Sequence, residues 1–268
     1  MNTQVQQFIK NYQLFEEDQV QQIQLQHRFD LAKAFGVREG MRILEIGCGQ
    51  GDTTVVLADL VGEEGHIVAI DIAKGDYGAP LTLAQAHEKV LASPLGSRIS
   101  FHVETDFATF DPNETFDAIV FSHCSWYFHD QKQLAHYFAK AKKLAPTLFF
   151  AEWDMDYKKE SQRNHFLAVS LIALYSQFVE NDGNIQQVFD RKQIELLLKE
   201  AGFSNFQHFS VDATYLQDGL WEQYYAKDIY PEFNCAPPLI QSLAATYYNM
   251  MVSSKTIESL NSFVIVAR

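Results

Sequence analysis

The feature that most constrains the fold of this chain is the glycine-rich segment at residues 43–52, ILEIGCGQGD. Its first residues predict a short buried strand, and the glycines that follow predict a tight turn leading into a helix near Asp52. A Cβ atom in such a turn would hold the backbone away from a ligand lying across the strand end. Because ligands bind at the carboxyl ends of strands in open α/β sheets, the segment predicts a binding site.

The spacing of these glycines disfavours a dinucleotide cofactor. A dinucleotide fingerprint is G-x-G-x-x-G, and counting from Gly47 and Gly49 its third glycine falls on Asp52. A carboxylate at the start of the helix would also repel a pyrophosphate that seeks the positive helix end. An acid there is compatible with a cofactor that carries an amino group and a sulfonium.

The first 151 residues alternate predicted strands and helices after a helical region at residues 5–35. The predicted strands are short apolar runs rather than clean alternations, which is typical of parallel strands buried on both faces. Their order implies right-handed crossovers and a doubly wound α/β sheet. The predicted strands lie at residues 42–46, 66–70, 99–103, 116–121 and 147–151, and the predicted helices at residues 52–60, 81–92 and 131–144.

The second half of the chain has a different pattern. An aromatic-rich insert at residues 215–260 is expected to be helical in parts and broken at its prolines. Further helices are predicted at residues 160–180 and 191–200, further strands at residues 206–214 and 262–267, and the breaks at Pro231, Pro237 and Pro238.

The motif Glu45-x-Gly47-x-Gly49-x-Gly51 resembles the first motif of class I S-adenosylmethionine-dependent methyltransferases of the small-molecule type. The resemblance covers residues 40–151 and implies S-adenosyl-L-methionine as cofactor, with S-adenosyl-L-homocysteine as product. Further matching positions support it, and the expected cofactor-binding residues are Glu45, Gly47, Cys48, Gly49, Gly51, Asp71, Ile72, Asp106, Phe107 and Ser122.

Three of these positions have specific roles in the family that the sequence resembles. Asp71 ends the second predicted strand and matches the acid that binds both ribose hydroxyls, a task suited to a carboxylate because its two oxygens accept from adjacent hydroxyls. Asp106 matches the acid that accepts from the adenine amino group. Phe107 would lie beside the adenine ring.

The resemblance also implies a fold and a division of the chain. We expect one methyltransferase domain over residues 1–268, with a Rossmann-like, doubly wound seven-stranded sheet that is mostly parallel and has an antiparallel last strand. Residues 1–39 would form an N-terminal helical cap and residues 40–152 the cofactor-binding core. Residues 153–268 would complete the core, with helical lid insertions at about 155–190 and 215–260.

The substrate side is predicted mainly from the end of the fourth strand, which should face the methionine part of the cofactor. His123 is a candidate general base because imidazole titrates near neutral pH. Trp126, Tyr127 and Glu152 are candidate substrate contacts, and Tyr12 is expected to approach from the N-terminal side. Metal-dependent catechol-type enzymes have an Asp at this strand end and Asp-Asn after the fifth strand. This chain has Ser122 and Glu152-Trp153 at those positions, so we expect no metal.

The net charge and the spacing of the cysteines limit the kinds of partner that we expect this protein to bind. A formal net charge of −13 over 268 residues repels phosphate backbones, so nucleic acid is not expected as a partner. The three cysteines form no CxxC pair and no metal-ligand spacing. Apolar runs long enough to cross a bilayer are absent, and the N-terminal ten residues are polar, so we expect a cytoplasmic protein. The oligomeric state is left open.

Methyl transfer to a small-molecule acceptor by in-line displacement is the function that these features favour. Positioning and removal of water supply most of the rate for such a reaction, so a missing catalytic dyad does not argue against an enzyme. Two alternatives stay open at this point. One is a non-catalytic S-adenosylmethionine-binding protein with an interaction or regulatory role, and the other, disfavoured by Asp52, is a nicotinamide-dependent oxidoreductase.

Overall fold

The protein is represented by a computed structural model that describes residues 3–254 and 256–268. These residues form one seven-stranded sheet with the order β3-β2-β1-β4-β5-β7-β6. Every neighbouring pair is parallel except those of β7, which runs antiparallel to both β5 and β6. The strands are β1 Arg42–Ile46, β2 His66–Ile70, β3 Ile99–His102, β4 Ala118–Ser122, β5 Thr147–Trp153, β6 Phe206–Val211 and β7 Ser262–Ala267.

Helices cover both faces of the sheet, as expected for a doubly wound fold. They are α1 Thr3–Tyr12, α2 Gln19–Phe35, α3 Asp52–Val61, α4 Leu83–Ala92, α5 Gln131–Leu144, α6 Arg163–Tyr175, α7 Arg191–Glu200, α8 Asp218–Ile229 and α9 Pro238–Ser253. The predicted Rossmann-like, mostly parallel seven-stranded sheet with an antiparallel last strand is therefore confirmed.

The consecutive apolar residues of the central strands divide between two cores. Leu44 and Ile46 of β1 pack in a cluster that includes residues of α5 to α9. Ile43 packs in a second cluster, with residues of α1, α2 and α3. Successive side chains of a strand point to opposite faces, so an unbroken apolar run is what a strand covered on both faces requires.

The helical region predicted at residues 5–35 is two helices rather than one. Gln13 and Phe15 have φ angles of +55° and +63° between them, a conformation that no α-helix contains. The side chain of Asp18 then accepts a hydrogen bond from the amide of Gln21 and caps the start of α2. The apolar spacing continues across the break, so periodicity alone did not reveal it.

In the second half of the chain, the helices break at the predicted prolines. The helix predicted at residues 160–180 is shorter than expected. α8 ends at Ile229, a 3-10 helix covers Tyr230–Cys235, and α9 begins at Pro238. The helix predicted at residues 160–180 is a 3-10 turn at Glu160–Gln162 followed by α6. Beyond α6, side chains satisfy the backbone: the amide group of Asn181 donates to the carbonyl of Val179 at 2.9 Å.

Within residues 3–254 and 256–268, no helix is both long enough and apolar enough to span a membrane. Cys48 and Cys124 are buried as free thiols, and Cys235 is exposed and free. No group of three or more His, Cys, Asp or Glu side chains in the same described residues is arranged to hold a metal ion.

Candidate cofactor site

A cavity of about 500 Å³ opens at the carboxyl ends of β1, β2 and β4. This volume falls within the range of small-molecule sites in proteins. The predicted cofactor residues in its lining are Glu45, Gly47, Cys48, Gly49, Asp71, Ile72, Phe107 and Ser122, joined by the predicted substrate-side residues His123 and Tyr127. The structure therefore brings most of the predicted site together.

The glycines of the turn are required for different physical reasons. Gly47 has φ +72°, and a Cβ on it would lie 2.7 Å from Cβ of Cys124. Gly51 has φ +92°, and a Cβ on it would lie 3.0 Å from the ring of Phe101. Gly49 has φ +53° and nothing within 4 Å of a Cβ position. Protein packing thus demands glycine at 47 and 51, and only Gly49 faces open space beside the cavity.

Asp71 holds the glycine turn in place. Its Oδ2 accepts a hydrogen bond from the amide of Gly49 at 2.8 Å, and its Oδ1 accepts from the amide of Ala73 at 2.8 Å. A carboxylate offers about four lone-pair sites, so both oxygens keep capacity toward the cavity that Asp71 lines. On the other side of the turn, Nε2 of His87 lies 2.8 Å from the carbonyl oxygen of Gly49. Hydrogen bonds thus hold the turn on both sides.

Glu45 and Asp52 place two carboxyl groups at the inner end of the cavity. Glu45 is 2% exposed, and its Oε2 accepts from the hydroxyl of Thr54 at 2.6 Å. Burial raises the pKa of Glu45 to about 8, although the Thr54 hydrogen bond and the positive charge of Arg28 act in the opposite direction. Burial also raises the pKa of Asp52. These groups are poised to gain a cationic partner.

Asp106 does not itself line the cavity. Its Oδ1 accepts from the amide of Ala108 at 2.7 Å and also from the hydroxyl of Tyr137. Tyr137 lines the cavity together with Thr105 and Phe107. Asp106 therefore reaches the cavity only through its neighbours, and its contact with the adenine amino group stays a prediction.

His123, directly after β4, has a constrained backbone and two protein partners. Its φ is +51°, which is uncommon for a residue with a Cβ. Its Nδ1 lies 3.2 Å from Oε1 of Glu152, and its Nε2 lies 3.0 Å from the hydroxyl oxygen of Ser262. Ser262 in turn lies 3.0 Å from Nε2 of the buried His27. A buried polar chain thus runs from Glu152 to helix α2.

Three predicted substrate residues lie outside the cavity lining. The hydroxyl of Tyr12 donates to Asp59 of α3 at 2.6 Å. Trp126 is 3% exposed and packs in the main hydrophobic core. Glu152 is 1% exposed and accepts from the hydroxyl of Ser125 at 2.7 Å. Their predicted contacts with substrate would need a rearrangement of this structure. The predicted cofactor residue Gly51 is also outside the lining, and its part is to allow the backbone conformation of the turn.

Several lining residues carried no signal in the sequence. Asp182 lies in the segment after α6, and Arg28 lies on α2, more than a dozen residues before the glycine motif. Only the folded chain brings such distant positions to one cavity. The lining residues not predicted from the sequence include Arg28, Gln50, Thr53, Ala73, Thr105, Gln133, Tyr137 and Asp182.

The residues present fit an adenosyl sulfonium cofactor better than a dinucleotide. Gly49 leaves room beside its backbone, and Asp71 keeps lone pairs free on the side of the cavity that it lines. The hydroxyl of Ser122 and Nε of Arg28 are buried without a hydrogen-bond partner in the described chain, so both await a ligand or water. The carboxyl groups of Glu45 and Asp52 can gain charge beside a cationic group, whereas a pyrophosphate would disfavour that charge further.

The fold and the site together define an S-adenosylmethionine-dependent methyltransferase with a Rossmann-like sheet. The sequence profile described as a methyltransferase domain matches residues 9–208, and the chain belongs to that family. When bound, S-adenosylmethionine supplies a methyl group on a sulfonium leaving group.

Similar proteins match further parts of this chain. A protein of Lactobacillus casei ATCC 334, solved as a cyclopropane-fatty-acyl-phospholipid synthase-like protein, is 30% identical and covers 100% of this chain and 99% of its own, with a TM-score of 0.90. Methyltransferase phomM of Diaporthe leptostromiformis is 35% identical over 133 residues, which are 42% of this chain and 34% of that protein. This chain thus spans about a third of the length of phomM. A ubiquinone/menaquinone biosynthesis C-methyltransferase of Vibrio campbellii is 22% identical over 66% of this chain and 69% of its own.

The raised pKa of Glu45 predicts a pH-dependent contribution to stability. The folded protein keeps a proton on Glu45 up to about pH 8, whereas the unfolded chain releases it near the ordinary value of 4.5. Over that interval the folded state binds more protons, so this group's contribution to the free energy of unfolding falls as the pH rises, by at most about 1.4 kcal/mol per pH unit. In Glu45→Gln this dependence should disappear.

Urea denaturation of the wild type and Glu45→Gln between about pH 5 and pH 8 measures the effect as a difference, which cancels the other titrating groups. The wild type should lose stability relative to the variant as the pH rises. Glu39→Gln, at an exposed position, is the matched control and should show a constant difference from the wild type. A constant difference for Glu45→Gln would contradict the assignment.

Proposed function

We propose that the protein transfers a methyl group from S-adenosylmethionine to a small-molecule acceptor by in-line displacement. The observation that carries the proposal is the continuous cavity of about 500 Å³ that joins the glycine turn to a second wall. That wall includes Tyr77, Tyr127, His129 and Asp182. Aromatic and polar groups in that arrangement suit a compact acceptor rather than a nucleic-acid strand, and the net charge of −13 agrees.

In the proposed reaction, a lone pair of the acceptor forms a bond to the methyl carbon while the carbon–sulfur bond breaks and its electron pair stays on sulfur. The protein's part is to align the two reactants and exclude water. We propose that Asp71 binds the ribose hydroxyls and that Ile72 and Phe107 flank the adenine. Gly47, Cys48, Gly49 and Ser122 would contact the remainder of the cofactor. Burial raises the pKa of the Cys48 thiol, which fits packing beside the cofactor rather than nucleophilic attack.

We also propose that the insertion at about residues 155–190 works as part of a lid. Its residue Asp182 lines the cavity, and the amides of Gln186 and Gln187 donate to the carbonyl of Trp126 at 2.8 and 3.2 Å. These bonds seat the segment on the turn that follows β4. The described lining contains no residue from the second proposed insertion at 215–260, whose role as a lid stays a prediction.

Asp71→Ala tests the cofactor geometry. Loss of charged hydrogen bonds to the ribose should weaken S-adenosylmethionine binding by about 10- to 100-fold in isothermal titration calorimetry. Asp76→Ala is a matched control, because Asp76 lies in the same loop but outside the cavity lining, and its affinity should stay at the wild-type value. NAD should give no binding heat, and binding of NAD in place of S-adenosylmethionine would contradict the proposal.

A methyl-transfer screen tests the acceptor class. Purified protein with S-adenosylmethionine is offered pools of small metabolites, and released S-adenosylhomocysteine is measured. Turnover with a small molecule, abolished in Asp71→Ala, supports the proposal. Vesicles of unsaturated phospholipid form a separate arm, because the Lactobacillus casei relative is described as similar to a cyclopropane-fatty-acyl-phospholipid synthase. Turnover in that arm alone would replace a small molecule by a lipid acceptor, and tight cofactor binding without turnover in any pool would favour a non-catalytic binding protein.

For acceptors that must lose a proton, we propose His123 as the general base. Nδ1 lies 3.2 Å from Oε1 of Glu152 and is buried without a hydrogen-bond partner, so we propose that Nε2 is the nitrogen that accepts the proton. Nε2 currently lies beside Ser262, so it becomes available to an acceptor when the ring exchanges that partner. The strained φ of +51° supports a functional reason for the residue.

His123→Asn removes the imidazole while keeping a side chain that tolerates positive φ. With the acceptor found by the screen, kcat should fall by about 10²- to 10⁴-fold while the affinity for S-adenosylmethionine stays unchanged. His129→Asn is the comparison, because His129 also lines the cavity but is exposed. Loss of kcat in His129→Asn, with normal turnover in His123→Asn, would move the role to His129.

A further inference from the structure

The hydroxyl group of Ser262, at the start of β7, lies between two histidine rings. Its oxygen is 3.0 Å from Nε2 of His123 and 3.0 Å from Nε2 of His27. Ser262 and His27 are fully buried, so solvent is kept away from these contacts. A hydroxyl has one proton to donate and lone pairs with which to accept. Between two neutral rings it therefore donates to one and accepts from the other, which leaves two arrangements of the protons.

The buried ring of His27 is neutral. Burial lowers the pKa of His27 well below its ordinary value, and the charges of His123 and Arg28 act in the same direction. A neutral imidazole has one N–H and one bare nitrogen. Nδ1 of His27 has no hydrogen-bond partner in the described part of the chain. The tautomer of His27 therefore depends on what Ser262 requires of Nε2.

The carboxylate of Glu152 decides between the two arrangements. It accepts from the amide of Trp153 at 3.0 Å and from the amide and hydroxyl of Ser125 at 3.2 and 2.7 Å, so donors surround it. Its Oε1 also lies 3.2 Å from Nδ1 of His123, outside hydrogen-bond geometry. A bare Nδ1 would hold its lone pair beside that negative oxygen, whereas an N–H would place a positive hydrogen there. A proton on Nδ1 is favoured for this electrostatic reason, and Nε2 of His123 is then bare.

A bare Nε2 on His123 fixes the direction of both hydrogen bonds at Ser262. The hydroxyl of Ser262 donates to Nε2 of His123, and the Nε2–H group of His27 donates to the hydroxyl oxygen. In the reverse arrangement, the Nδ1–H group of His27 would be buried without an acceptor. The lone pair on Nδ1 of His123 would also face Glu152.

Packing keeps the two rings on either side of Ser262. The ring of Trp153 stacks on His27 with centroids 6.0 Å apart and meets His123 edge-on at 4.5 Å. Trp153 is also the partner of Ser262 in the pairing of β5 with β7. One indole thus supports both rings and the strand position between them.

We propose that His27, acting through Ser262, is a positioning residue that holds His123 in the tautomer with a bare Nε2. The inference rests on the proposed function, in which His123 is the general base, and extends it by assigning the residues that keep a nitrogen of that base free of a proton. The described cavity lining includes neither His27 nor Ser262, so both act on the reaction only through His123.

Nitrogen NMR of the histidine rings is the direct test, because N–H and bare ring nitrogens resonate in separate regions. Wild-type protein labelled with nitrogen-15 histidine should show a bare Nε2 for His123 and a protonated Nε2 for His27. His87 is an internal reference, because its Nε2 lies 2.8 Å from the carbonyl oxygen of Gly49 and must carry the proton. A proton on Nε2 of His123 would overturn the proposal. This measurement needs no variant for its outcome, and His123→Asn serves only to assign the signal.

Two variants test whether Ser262 and His27 are needed. Ser262→Ala removes the shared hydroxyl, and His27→Phe keeps an aromatic ring beside Trp153 but removes the donor. In both, the Nε2 resonance of His123 should move to an intermediate position, as for a mixture of tautomers. Ser262→Thr keeps a hydroxyl and should keep the wild-type resonance. An unchanged resonance in both Ser262→Ala and His27→Phe would assign the tautomer to Glu152 alone and would overturn the proposal.

Ser259→Ala is the matched control for the loss of a buried hydroxyl. The hydroxyl of Ser259 donates to the carbonyl of Leu216 at 2.8 Å, away from the histidine rings. Its loss should leave the Nε2 resonance of His123 at the wild-type position. A shift as large as that of Ser262→Ala would contradict a specific role of Ser262.

Kinetics connect the tautomer to the reaction. With an acceptor found by the screen, kcat of Ser262→Ala should fall by the same factor as the population with a bare Nε2 on His123, while the KM for the acceptor stays unchanged. A fall in kcat with an unchanged tautomer would reduce Ser262 to a structural role and overturn the proposal. Absence of turnover by the wild type is a different outcome, since it would refute the proposed function and leave the NMR measurement to decide this inference.

Discussion

The hydrogen bond from the amide of Gly49 to the carboxylate of Asp71, 2.8 Å long, is the interaction on which the site depends. It ties the turn after β1 to the end of β2, where the amides of Gly47 and Cys48 already donate to the carbonyl of Ile70. A glycine turn free of this bond would have many conformations available, at an entropic cost to any ligand that had to order it. Here the turn is ordered when the protein folds, so a ligand does not have to order it on binding.

Electrostatics give the cavity its preference for a cationic ligand. Asp71 and Asp182 line the cavity, and burial makes charge on Glu45 and Asp52 costly until a positive group arrives. A sulfonium cofactor satisfies that requirement and a pyrophosphate violates it. This physical distinction agrees with the spacing of the glycines, in which Asp52 takes the place of a third glycine of a dinucleotide fingerprint.

Local sequence signals were sufficient for the sheet and for the part of the site carried by strand ends. β1, β2 and β7 and the helices α5 and α7 have the predicted bounds, because each is a compact periodic or apolar run with clear ends. The break between α1 and α2 was missed, since positive φ angles at Gln13 and Phe15 leave no mark in an apolar pattern. Residues such as Arg28 and Asp182 were missed because their place in the site is fixed by long-range packing.

The same long-range packing connects Glu152, at the end of β5, to the site although Glu152 does not line the cavity. Glu152 contacts His123, His123 contacts Ser262, and Ser262 contacts His27, the residue immediately before Arg28. Each of these groups is buried or nearly so, where an unmatched polar group is costly. The chain of contacts therefore fixes the end of β4 relative to helix α2. Since this buried network runs from Glu152 to His27 and includes His123, it sets the position of the proposed proton acceptor relative to helix α2.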